Sequence, residues 1–195
     1  NANERINKTF FLNSYLNVDL PVEGLSYRLN VGLTTQDNHD FSYKPSYSRD
    51  GFYNLGSGSK YYYSSNNLTL ENIINYNRTV GKHAFKATLM YGIYEAEDES
   101  SELSSKNIFN DALGWNSLEI GDSYALETGA GKNQQVSAMG RLGYIYNHRY
   151  IFDISLRRDG YSAFGDGRKY GLFPAVGASW NVSEESFLSD AAFLD

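Results

Sequence analysis

Apolar and polar side chains alternate every second residue through much of this chain. From Phe10 to Leu20 the positions Phe10, Leu12, Leu16, Val18 and Leu20 are apolar, while Asn13, Asn17 and Asp19 take the other side, with Ser14 the one interruption. After the turn-forming PVEG, the alternation resumes with Leu25, Tyr27, Leu29, Val31 and Leu33 against Ser26, Arg28, Asn30 and Thr34. Two such runs across a short turn predict a β-hairpin. A second hairpin follows around NRTVGK: Leu68, Leu70, Ile74 and Tyr76 oppose Thr69, Glu71 and Asn75, then Phe85, Ala87, Leu89, Tyr91 and Ile93 oppose Lys86 and Thr88. Asn72 is the one polar residue on that apolar side. A third hairpin turns at NHR, with Val136, Ala138, Leu142, Tyr144 and Tyr146 apolar before it and Tyr150, Phe152, Ile154 and Leu156 after it. Leu172 to Val182 predicts a seventh strand, with Pro174, Val176, Ala178, Trp180 and Val182 on one side.

The connections alternate as well. Those at 21–24, 78–82 and 147–149 are short, and those at roughly 36–66, 95–133 and 159–171 are long and polar. Short turns on one side and long loops on the other describe an antiparallel transmembrane β-barrel, with the turns at the periplasmic end. The strands run about 9 to 13 residues, near the ~9–11 that a tilted strand needs to cross a bilayer. A soluble β-sandwich would also alternate, but three features weigh against it. The strands exceed the usual five or six residues. No apolar face carries a charge, and a charge at mid-bilayer would cost ~2–4 kcal/mol. Aromatic pairs flank the short turns, Tyr76 with Phe85 and Tyr146 with Tyr150, where an interfacial girdle belongs.

Composition alone would suggest something else. A net charge of -6 over 195 residues, no cysteine and a mean hydropathy of -0.50 describe a mildly acidic soluble domain; the period-two pattern overrides that average. The 17 tyrosines, 11 phenylalanines and 18 glycines against 3 prolines favour strands and turns. No run approaches the ~20 apolar residues of a spanning helix, and the first twenty residues do not read as a signal peptide. The absence of a Lys/Arg cluster argues against nucleic acid as a partner. Seven strands leave two edges, and unpaired backbone is costly in lipid. The chain is therefore expected to be part of one larger barrel domain, without its plug, signal peptide or C-terminal strands; AAFLD, ending at Asp195, does not finish as a closing strand would.

Residues 141–188, RLGYIYNHRYIFDISLRRDGYSAFGDGRKYGLFPAVGASWNVSEESFL, resemble the barrel segment of SusC/RagA-type TonB-dependent transporters of Bacteroidetes. The elements that carry the resemblance are Tyr146, Asn147, Arg157 to Gly160, Ser162 to Gly165, Phe173 to Trp180 and Ser183 to Glu185. The resemblance implies a large plugged barrel of the 22-stranded class, of which this chain supplies seven or eight strands. It implies import of oligosaccharides or peptides across the outer membrane, a SusD-like surface lipoprotein, and TonB acting through a plug. A small structural barrel, or a surface adhesin binding ligand through its loops, is the alternative from another class.

No catalytic constellation emerges, and an enzyme is not expected. His39, His83 and His148 are scattered without metal-ligand spacing. GAGK at Gly129 to Lys132 lacks the Ser/Thr of a phosphate loop and reads as a loop. No cofactor is expected, although the acidic run Glu95 to Glu102 could hold calcium; a solvated loop is the favoured reading. Arg28, Glu71, Arg141, Asp153, Arg157 and Asp159 are placed on the lumen side, where Arg157 and Asp159 could pair at the rim or reach substrate. Phe41, Tyr43, Tyr47 and Phe52 lie in the expected long loops. So do Tyr53, Tyr61, Tyr62, Tyr63 and Trp115, the substrate-contact candidates, because exposed aromatics suit the apolar faces of sugars.

Overall fold

A computed structural model describes residues 1–165, 167–185 and 187. It contains one antiparallel sheet in which every strand neighbours its sequence successor: β1 (Ala2–Asp19), β2 (Leu25–Lys44), β3 (Ser57–Val80), β4 (His83–Lys106), β5 (Ser123–Tyr146), β6 (Tyr150–Tyr161) and β7 (Tyr170–Trp180). The up-and-down order is that of a barrel wall. The expectation for AAFLD and Asp195 lies outside the described residues.

Two compact units divide these strands. The first comprises Asn1–Leu12, Leu33–Leu68 and Glu95–Asn133; the second comprises Asn13–Gly32, Thr69–Tyr94 and Gln134–Asp195.

In the second unit, register confirms the alternation residue by residue. Leu142 pairs with Ile154 and Ile154 with Val176, while Tyr144 pairs with Phe152 and Phe152 with Ala178. One face is thereby an apolar stripe across three strands. Nothing among the described residues covers it: Leu142, Ile154 and Val176 are 60%, 53% and 80% exposed. On the opposite face Arg141 pairs with Ser155, Met139 with Arg157, and Ser137 with Asp159. A slip of one residue would exchange the two faces, so two different surroundings hold the register.

The stripe ends in rings at the short turns. Tyr146, Tyr150 and Trp180 are register partners. Their rings stack at 6.4 and 6.5 Å between centroids, inside the usual aromatic range. Between Tyr146 and Tyr150 the Arg149 amide donates to the Tyr146 carbonyl at 2.9 Å. Asn147 and His148 both have positive φ, 49° and 60°, so the turn is type I′, whose twist matches that of the strands. Adjacent turns are also tied by backbone bonds: Asn77 N–H to the Gly24 carbonyl, Asn147 N–H to Lys82, and Asn181 N–H to Arg149, at 2.7–2.8 Å.

In the first unit the strands run further than the alternation indicates. β1 to β5 have 18, 20, 24, 24 and 24 residues, against the expected 9 to 13. The connections shrink to 45–56, 107–122 and 162–169. The ladder is a backbone property, whereas alternation is required only where two faces meet different solvents. Tracts such as SSNN and EAEDESSE, polar at nearly every position, keep the ladder and lose the pattern. Thus His39, Phe41 and Tyr43 lie in β2, Tyr61 to Tyr63 in β3, Glu95 to Glu102 in β4 and Gly129 to Lys132 in β5; the loop assignments of these segments are corrected.

Candidate functional site

The six residues placed on the lumen side lie in the second unit and form short polar ladders. Arg28 Nε donates to Asn30 Oδ1 at 2.8 Å, and Asn30 Nδ2 donates to Glu71 Oε2 at 3.0 Å. The Arg28 guanidinium also lies 4.5 Å from the centre of the Tyr15 ring. Arg141 Nη2 meets Asp153 Oδ1 at 2.9 Å across β5 and β6. Arg157 Nε meets Asp159 Oδ1 at 2.8 Å, two positions along the same strand, and its Nη2 donates to Ser137 Oγ at 3.2 Å. Arg157 and Asp159 therefore pair with each other. A recess of about 230 Å3 opens beside Arg141 and Asp153, with Lys86, Thr88 and Asn77 on its rim. These exposed pairs contribute little stability, ~0–1 kcal/mol each. They give this face of the sheet alternating charge and hydrogen-bonding groups.

At the short turns, Glu185 gathers three donors. Its Oε1 accepts from the Tyr150 hydroxyl at 2.7 Å and from Trp180 Nε1 at 3.2 Å, and its Oε2 meets Arg149 Nη1 at 3.1 Å. The Tyr150 hydrogen bond, with those of Trp180 and the charge of Arg149, holds this carboxyl below the ordinary glutamate range. Each ring thus keeps an apolar body on the stripe and a polar tip on the carboxylate.

The first unit holds the aromatic candidates. The Tyr62 ring meets Phe41 edge-on at 5.8 Å and His39 at 4.9 Å, while Trp115 stacks on Phe41 at 6.1 Å. Lys60 Nζ lies 5.6 Å from the Phe41 ring centre. Tyr62 and Trp115 are therefore joined through Phe41. Tyr63, with Tyr62, His39, Asp37, Glu99 and Thr128, lines a recess of about 450 Å3. Strand alternation turns Tyr61 away from Tyr62. Tyr53 lies apart in the 45–56 loop, 89% exposed against Phe52. Lys60 and His39 were not singled out as partners in the sequence, because no local pattern shows which strand residues a loop tryptophan will reach.

The 107–122 loop is fixed by Asp111. It accepts from the Tyr43 hydroxyl at 2.6 Å, from the Ser46 amide at 3.0 Å and from the Ser46 hydroxyl at 2.7 Å. The Tyr43 hydrogen bond, reinforced by Ser46, lowers the Asp111 pKa, and burial beside that carboxylate raises that of Tyr43. Tyr43 and Ile108, 3% and 0% exposed, are the buried hydrophobic residues of the described structure, and Ile108 N–H bonds the Gly56 carbonyl at 3.4 Å. From β5, Lys132 reaches Glu95 on β4 at 3.0 Å and also pairs with Glu97, bringing a positive charge onto the acidic run. The two carboxylates, Glu97 first, raise the Lys132 pKa.

No family profile matches the chain. It is 28% identical to TonB-dependent receptor P3 of Formosa agariphila over 196 residues, covering 97% of this chain and 19% of that protein. It is 37% identical to TonB-dependent receptor SusC of Bacteroides thetaiotaomicron over 93 residues, 46% of this chain and 9% of the relative. The fold matches that of the RagAB peptide transporter with a TM-score of 0.78 at 20% identity, over 94% of this chain and 21% of that one. The chain thus spans about a fifth of the longer-matching relatives. In sequence the chain is thus similar to TonB-dependent receptors, SusC among them, and its seven-stranded antiparallel sheet has the fold of a stretch of a transporter's β-barrel wall.

Proposed function

We propose that this chain forms part of the wall of a TonB-dependent importer that takes up large nutrients, oligosaccharides or peptides, together with a SusD-like surface lipoprotein. The observation that supports it most is the two-faced sheet of the second unit. Its uncovered apolar stripe suits lipid, and its ion-paired opposite face suits a wet passage. The similarity to receptors named SusC and to a peptide transporter points to the same class of cargo. In this reading TonB acts through the plug of the complete protein, and Tyr62 and Trp115 offer flat rings to sugar or peptide side chains. The transport role belongs to the whole barrel and requires no covalent chemistry from these residues.

The test is deletion of the parent gene, followed by growth on separate pools of oligosaccharides and peptides. Loss of growth on one pool, reproduced by deleting TonB and restored by the intact gene, is expected. Undiminished growth on every pool would overturn the proposal.

A further inference from the structure

The apolar face of the second unit is not flat. Ala138 and Gly140 on β5 lie low between Leu89 on β4 and Leu156 on β6, leaving a groove of about 530 Å3 that extends to Leu172 and Arg158. Gly140 is the register partner of Leu156, and a Cβ there would meet Leu89 at an ordinary contact distance of 3.6 Å, so any side chain at this position would take up part of the groove. Tyr27 and Asn72 also line it, and their mutual hydrogen bond satisfies one amide oxygen and one hydroxyl.

Among the described residues, Arg158 is the one charged side chain lining this groove. Its register partners are Ala138 and Leu172, and among the described residues no carboxylate forms an ion pair with it. Its guanidinium is instead laid over the Tyr170 ring, 4.1 Å from the centroid. That ring lies over Gly160, its register partner, where a Cβ would come within 2.5 Å of it. Stacking occupies the face of the guanidinium and leaves its in-plane N–H donors directed outward. Arg158 stands eight positions from Tyr150 on β6, ~27 Å along a strand at ~3.4 Å per residue. At a tilt of ~40° this is ~20 Å of height, against an apolar band of ~25 Å. Tyr150 marks the short-turn side, so Arg158 stands about 5 Å inside the outer edge of that band, within reach of its own side chain.

From this geometry we infer a lipid site: one acyl chain of the phosphate-bearing glycolipid of the outer leaflet lies in the Gly140 groove, with its phosphate on Arg158. Apolar contact alone cannot select a lipid here, because surrounding chains are equally apolar. Selection comes from the fit of the groove and from the charge-assisted, bidentate pairing that arginine makes with phosphate. The inference rests on the barrel placement and not on the identity of the cargo.

The test uses the full-length parent barrel in phosphatidylcholine vesicles doped with monophosphoryl lipid A, its dephosphorylated form or phosphatidylglycerol, with retained lipid counted by native mass spectrometry. Heat-modifiable migration reports barrel folding separately, so failure of the barrel reading is distinguishable. Retention of monophosphoryl lipid A above phosphatidylcholine is expected. It should fall about tenfold in Arg158→Gln, as for loss of a charged hydrogen-bonding partner, and less in Arg158→Lys, which folds with the charge kept. Gly140→Leu, which fills the groove, should reduce both forms of lipid A. Equal retention by Arg158→Lys and Arg158→Gln, equal retention of the dephosphorylated lipid, or preference for phosphatidylglycerol would overturn the assignment.

Discussion

The Tyr27 hydroxyl donates to Asn72 Oδ1 at 2.7 Å, so the one amide that interrupts the apolar side of β3 already has a partner on its own face. Tyr27→Phe removes that partner while keeping the ring. It is expected to destabilise the folded full-length barrel by ~1–3 kcal/mol, the cost of an unsatisfied polar group away from water. Tyr27→Phe with Asn72→Leu should recover much of the loss. Denaturant midpoints in detergent micelles, compared as a double-mutant cycle, check this; a double variant no better than the single one contradicts it.

Ile154 sits between Leu142 and Val176, whereas its neighbour Ser155 sits between Arg141 and Ala175. Ile154→Arg places a charge in the apolar band and should cost ~2–4 kcal/mol, blocking assembly of the full-length barrel. Ser155→Arg should assemble normally. The fraction of heat-modifiable barrel in outer-membrane preparations distinguishes them, and equal assembly would reverse the facial assignment.

The carboxyl of Glu185 is held below its ordinary value of 4.5 by Tyr150, Trp180 and Arg149. A depressed folded-state pKa means that the stabilisation is complete above the unfolded value and is lost as pH falls below it through the folded value. Resistance to denaturant should therefore gain nothing from this group between pH 5 and 7 and should decline below about pH 4.5. Glu185→Gln should show a smaller decline over that acid range. Identical pH profiles for wild type and variant would contradict the arrangement.

Asp111 anchors the 107–122 connection to Tyr43 and Ser46. Asp111→Ala strands those donors, so limited proteolysis of the intact barrel should cut within 107–122 at least several times faster. Tyr43→Phe removes one of the three bonds and should have a smaller effect. Cleavage at wild-type rates in Asp111→Ala would show that the anchor does not restrain the loop.

Strand count, hairpin pairing and both faces of β6 were legible because lipid and water impose opposite demands on successive residues. Leu142, Ile154 and Val176 could be assigned to one stripe before any register was known. The outer reaches of β2 to β5 were not legible for the complementary reason. Around Asp37, Asn66 and Glu97 polar residues fill both faces, and no alternation records the continuing ladder. The aromatic cluster was half legible: Tyr62 and Trp115 were singled out, but their junction at Phe41 and the cation of Lys60 depend on partners far apart in sequence. The Arg149–Glu185 pair spans 36 positions and leaves no local signal either.

The backbone bonds between adjacent turns have a consequence for how the chain tolerates change. Since Asn147 hangs on the Lys82 carbonyl and Asn181 on that of Arg149, an extra residue in one turn unseats an anchor of the next. This edge accepts substitution far more readily than insertion. A peptide tag spliced beside Tyr53 would leave the pairing of the strands intact, whereas the same tag after Lys82 would unfasten two hairpins at once.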